Sequence, residues 1–85
     1  MSGKVNINPL FTQRMEEELV TNSHKGDWVV WHPEPKDWLW EMSHHQAKLQ
    51  KAIADKNYEL IREYSADVAN LAEKAFVSFG NIKDE

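Results

Sequence analysis

Apolar residues recur along most of this chain at intervals of three and four. Leu10, Phe11, Met15 and Leu19 make the first such series, with Arg14, Glu16 and Glu17 set between them. That spacing predicts an amphipathic helix from about Pro9 to Val20, with Arg14, Glu16 and Glu17 facing water and Glu16, Glu17 and Glu18 forming a solvated face. Asn8 and Pro9 suit its start, because Asn caps free backbone N–H groups and Pro lacks an N–H that the first turn would leave unpaired.

A second stripe runs through Trp38, Met42, His45, Leu49, Ala52 and Ile53 and predicts a buried helix face from near Pro35 to about Lys56. A third runs through Leu60, Ile61, Tyr64, Val68, Leu71, Ala72, Ala75 and Phe76. It predicts a helix over Tyr58 to Phe79, capped by Asn57 and closed by Gly80 as the left-handed residue after the last turn. Between the first two helices the periodicity dissolves from Thr21 to Lys36, where Gly26, Pro33 and Pro35 mark a long loop. The run Trp28–Trp31, WVVW, has no second strand to pair with and reads as irregular. Residues 1 to 7 carry no pattern and are expected to be disordered. The fold class is therefore all-α, an amphipathic N-terminal helix plus a long antiparallel helical hairpin, in one domain spanning 1–85.

Length changes this picture by making self-sufficiency marginal. A chain of 85 residues buries a modest share of its surface, so a homodimer or a dimer of dimers is expected to complete a helical bundle. Trp40, off the apolar stripe, and Trp31 are candidate interface anchors. There is no cysteine, which removes disulfides and thiolate metal sites and suits a reducing, cytoplasmic setting. No apolar run reaches the roughly 20 residues of a membrane span, and the N-terminal residues are too polar for a signal peptide. The net charge is -4 with acids and bases interspersed, which disfavours nucleic acid as a partner.

Candidate chemistry concentrates on the two long helices. His44, His45 and Lys48 lie mid-helix on one; Asp67 and Asn70 lie one turn apart on the other, bordering its apolar face. In an antiparallel hairpin, His45 and Lys48 are the groups across from Asp67. A transition-metal site on His45 and Asp67 with His24 from the loop is one metal-binding alternative, because imidazole suits zinc or nickel, and a site on His45, Asp67 and Glu63, four residues before Asp67, holding manganese or zinc is the other.

The order NSHKGDW, HHQAKLQKAI, EYSADVAN resembles the small phage-type members of the MazG-like all-α nucleoside triphosphate pyrophosphohydrolases. The likeness covers about residues 10 to 77 and is densest at Asn22, His24–Gly26, Trp28, Ala52–Ile53 and Ala66–Asn70. It implies a dimeric helical bundle that cleaves nucleoside triphosphates between the α and β phosphates with Mg²⁺, held by a Glu-Glu-x-x-Glu motif on one helix and a Glu-x-x-Asp motif on the next. Acids at these spacings present several oxygens to one hard cation. In the register set by Ala52–Ile53 and Ala66–Asn70, the first motif falls on His44, His45 and Lys48 and the second on Tyr64 and Asp67. Of five carboxylates only Asp67 remains.

Replacing three acids by two imidazoles and an ammonium moves the local charge from about −3 to about +1, which repels Mg²⁺. The expectation is thus a catalytically inactive MazG-like domain without a resident metal or cofactor. It would act by binding a partner protein, such as a host protein, or a nucleotide-like anion. The ligand-binding positions would be Lys25, Trp28, His45, Lys48, Asp67 and Asn70, with Lys48 pairing Asp67 in place of the metal. The alternative is a hydrolase rebuilt around Mg, Mn or Zn on His45, Glu63 and Asp67.

Overall fold

A computed structural model of the chain describes residues 6–21 and 31–81; within them it contains three α-helices and no strand. Helix α1 spans Pro9–Thr21, α2 spans Pro35–Ala54 and α3 spans Tyr58–Phe79. The expectations for residues 1–5, for Asn22, His24, Lys25 and Trp28, and for most of the 21–36 loop fall outside the described residues; Trp31–Glu34 are described and form no regular element.

Each helix starts where its capping chemistry allows. Asn8 Oδ1 accepts the N–H of Leu10 at 2.8 Å, opening α1. Pro35 occupies the first turn of α2, with Asp37 beside the exposed N–H groups of that end. Asn57 Oδ1 accepts the N–H of Leu60 at 3.2 Å, opening α3.

The ends depart from expectation twice. Helix α2 stops at Ala54 rather than Lys56, because Lys56 turns left-handed at φ 56. Its N–H then reaches Ile53 O at 3.1 Å and that of Asn57 reaches Ala52 O at 3.0 Å, the paired bonds of a Schellman closure built without glycine. At the other end Gly80 is right-handed at φ −79, and Asn81 takes the left-handed conformation at φ 53. Gly80 serves close approach instead: a Cβ there would collide with the carbonyl oxygen of Phe76.

Helix α3 is the spine. Both α1 and α2 pack on it, and among the described residues they do not pack on each other. Along α2 and α3, Trp38 bonds Leu71, His45 approaches Asp67 and Lys48 lies over Tyr64, so the two helices run past each other in opposite directions. The result is an open layer, 41 × 39 × 22 Å, rather than a closed triangle of helices.

An open layer has a thin core. Ala52, Ala66 and Leu71 are its buried apolar side chains, and no large side chain among the described residues is wholly enclosed. Trp38 anchors one end: its indole Nε1 donates to Leu71 O at 2.7 Å and its ring meets Phe79 edge-on at 6.3 Å between centroids. Asn70 anchors the other seam by donating Nδ2 to Met15 O at 3.0 Å, which ties α3 to α1. Ile53, Ala72 and Phe76, expected on buried stripes, are exposed, because they lie on the side of the layer that no other described helix covers. Leu10 is exposed too, standing off the line of Phe11 and Met15 that meets α3.

Candidate functional site

The open layer has a polar face, and on it α1, α2 and α3 bring charged side chains together across a groove. Arg14 and Glu18 come from α1, Glu41, His45 and Lys48 from α2, and Glu59, Glu63 and Asp67 from α3. Helical spacing explains the grouping. Phe11, Met15 and Glu18 share the α1 face that meets α3, and Glu59, Glu63 and Asp67 repeat at four residues along one side of α3.

Arg14 organises the acids. Its Nε donates to Glu18 Oε2 at 2.8 Å and its Nη2 to Glu59 Oε2 at 2.7 Å, with Glu63 Oε1 4.0 Å away. Glu59 also accepts from Arg62 at 2.9 Å. Arg14, expected to face water, is therefore largely covered, and Glu18, expected on a solvated face, is buried. The correction has a plain cause: Glu18 falls seven residues after Phe11, on the packed side of α1, and the guanidinium allows a carboxylate to sit there. The hydrogen bonds to Glu59 and Glu18 hold the Arg14 proton more firmly than usual, and Arg14 in turn holds the Glu59 carboxyl below the ordinary range.

Asp67 sits deeper, with a side chain 17% exposed. Burial, and then the charges of Glu18 and Glu63, push its carboxyl up to about 6. One carboxylate oxygen from each of Glu18, Glu63 and Asp67 lies within 4.8 Å of the others. Lys48 was expected to neutralise Asp67 directly. Instead its ammonium lies over the Tyr64 ring, 5.6 Å from the centroid, and forms no ion pair with Asp67; it acts on Asp67 only at a distance.

His45 stands between two carboxylates without bonding either. Its Nε2 is 3.7 Å from Glu41 Oε1, and its Nδ1, buried and unpartnered, is 3.8 Å from Asp67 Oδ2. Burial, then Lys48, lowers the pKa of its imidazole below the ordinary histidine value. His44 is exposed, with its ring edge-on to that of His45 at 5.5 Å.

The expected ligand set is thus partly assembled. His45, Lys48 and Asp67 line the groove, whereas Asn70 spends its amide on bridging α3 to α1; Lys25 and Trp28 lie outside the described residues. Of the alternative metal set, Glu63 and Asp67 come together with Glu18, and His45 only borders them. Arg14 and Glu18 were missed as site residues, although their spacing of four on one helix, with Glu18 on the line of Phe11 and Met15, carries the signal.

The resemblance implies Mg²⁺, and the groove can be tested against it. Three carboxylates are suitable hard donors. But the guanidinium already engages Glu18 and lies beside Glu63, and Lys48 adds positive charge from α2, so the residues present do not fit a divalent centre of the implied kind. No protein-family model, curated protein or solved structure matches the chain.

Proposed function

We propose that this chain is a MazG-like helical domain that has lost nucleoside triphosphate hydrolysis and acts by binding, with the groove meeting a basic segment of a partner protein. The observation that carries the reading is Arg14: its guanidinium sits among Glu18, Glu59 and Glu63, where it gives the acids the compensation that a metal would otherwise supply. Lys48 and the two histidines at the positions of the first acidic motif support the same reading.

A protein partner is favoured over a nucleotide-like anion by charge. Among the described groove residues, carboxylates outnumber permanent cations, and a triphosphate brought there without a metal would meet net repulsion. An arginine- or lysine-rich segment would meet attraction.

The test is incubation with a panel of nucleoside triphosphates and Mg²⁺ or Mn²⁺, followed by titration with an arginine-rich peptide. No turnover is expected, together with salt-sensitive peptide binding that Glu63→Lys weakens. Turnover abolished by Asp67→Ala would establish the rebuilt hydrolase instead. Metal-free nucleotide binding tighter than peptide binding would make the ligand an anion.

A further inference from the structure

The carboxylates that a basic partner needs are already engaged from within the chain. Arg14 reaches from α1 to Glu59 on α3 at 2.7 Å and lies 4.0 Å from Glu63. A basic segment that takes these acids has to displace the Arg14 guanidinium, and the way α1 is held says what leaves with it.

We infer that α1 is a removable strap whose Arg14 stands in for the partner's cation, and that the partner binds as an amphipathic helix on the α3 face α1 vacates, carrying cations four residues apart. This rests on the basic-partner reading above and adds the regulation of the same site. Three observations carry it.

The first is how α1 is fastened. Among the described residues α1 packs on α3 alone. The one buried residue of α1 is Glu18, an acid; Leu10 and Val20 are 73% and 74% exposed, and Phe11 and Met15 meet α3 without being enclosed. Apolar burial therefore contributes little, and the ties named between the two helices are polar: the Arg14 ion pairs and the bond from Asn70 Nδ2 to Met15 O at 3.0 Å. A helix of 13 residues has little stability alone in water, so α1 comes off as a unit and unfolds. Helices α2 and α3 stay joined by residues 55–57 and by the bond from Trp38 to Leu71.

The second is a repulsion built into the docked state. Together with Arg14, α1 brings Glu18, whose carboxylate comes within 4.8 Å of those of Glu63 and Asp67 and whose charge opposes that of Asp67. So α1 offers α3 one charge that suits it and one that does not. A helix with a cation in place of Glu18 keeps the first and reverses the second, which lets it outcompete α1 on the same surface.

The third is matched spacing. Glu59, Glu63 and Asp67 recur every four residues on α3, as Arg14 and Glu18 do on α1. Helix α1 is itself the template: position 14 meets Glu59 and Glu63, and position 18 meets Glu63 and Asp67.

Two synthetic peptides of residues 8–21 test this against the full chain. Both carry Glu16→Lys and Glu17→Lys on the exposed side, and one carries Glu18→Lys in addition. The Glu18→Lys peptide should bind roughly tenfold tighter than the other. As it binds, amide exchange should quicken over the chain's own α1 and slow over α3. Asn8→Ala in the chain removes the α1 cap, whose Oδ1 accepts the Leu10 N–H, without altering any charge. That variant should bind the Glu18→Lys peptide roughly fivefold tighter, because α1 is easier to displace. Binding that leaves α1 exchange unchanged or slower, or that Asn8→Ala does not tighten, would overturn the strap and leave the basic-partner reading standing. So would an arginine-rich peptide that binds where the Glu18→Lys peptide does not. Failure of every basic peptide to bind at low salt would remove that reading and the strap with it.

Discussion

His45 Nδ1 stops 3.8 Å short of Asp67 Oδ2, and no hydrogen bond spans the gap. Both groups are largely covered, and burial shifts them in opposite senses, the carboxyl up to about 6 and the imidazole below its usual value. Each therefore favours its neutral form, and their pH signatures oppose one another.

For Asp67 the folded protein binds the proton more tightly than the unfolded chain does. The folded state is thus unpenalised below about pH 4 and bears the full cost of the charge above about pH 6. Asp67→Asn removes that cost. The variant should match the wild type near pH 4 and exceed it by roughly 2 to 3 kcal/mol above pH 6.5. Urea unfolding across this range checks it; an Asp67→Asn variant less stable at pH 7 would show that the carboxylate is held by attraction instead.

His45 works the other way. Its folded pKa is depressed, so the folded state holds its full stability above the ordinary histidine range and loses it as pH falls through that range. His45→Gln should flatten the acid limb of the pH–stability curve. An NMR titration placing the His45 midpoint above that of a free histidine would contradict the burial argument.

Asn70 matches the resemblance, yet its amide ties α3 to α1 through Met15 O. Asn70→Ala removes this tie between the helices and should cost on the order of 1 kcal/mol. Because, among the described residues, α1 packs on α3 alone, amide exchange should quicken first over α1. Uniform destabilisation of all three helices would argue against this bridge as the local tie.

Lys56 is a non-glycine residue at φ 56. Replacing it by glycine relieves left-handed strain and should stabilise the fold by about 1 kcal/mol, raising the melting temperature by several degrees. A neutral or destabilising Lys56→Gly would mean that the turn between α2 and α3 is not closed in this way.

These positions show which parts of the structure local sequence announces. Asn8, Pro9, Pro35 and Asn57 mark helix starts by chemistry that acts within one turn, and α3 begins and ends as its spacing predicts. Lys56 carries no such mark, since lysine favours helix and only the return of Asn57 N–H to Ala52 O turns it left-handed. Period alone also names an apolar stripe without saying how much of it is covered: Ile53 and Phe76 lie on their stripes and remain exposed because α1 and α2 flank α3 without closing on each other. The groove was half legible. Asp67 and His45 do come close, but Arg14 reaches Glu59 and Glu63 on another helix, at a distance no local spacing encodes.

Arg14 is also where the account is most exposed to test. Titration with Mn²⁺, followed by calorimetry and thermal unfolding, should show no binding to the wild type. Arg14→Met, which takes the guanidinium away from Glu18, Glu59 and Glu63, should lose roughly 3 kcal/mol and regain part of it as Mn²⁺ is added. Stoichiometric micromolar binding of Mn²⁺ by the wild type, undiminished by the guanidinium, would contradict the claim that a protein cation has taken the metal's place.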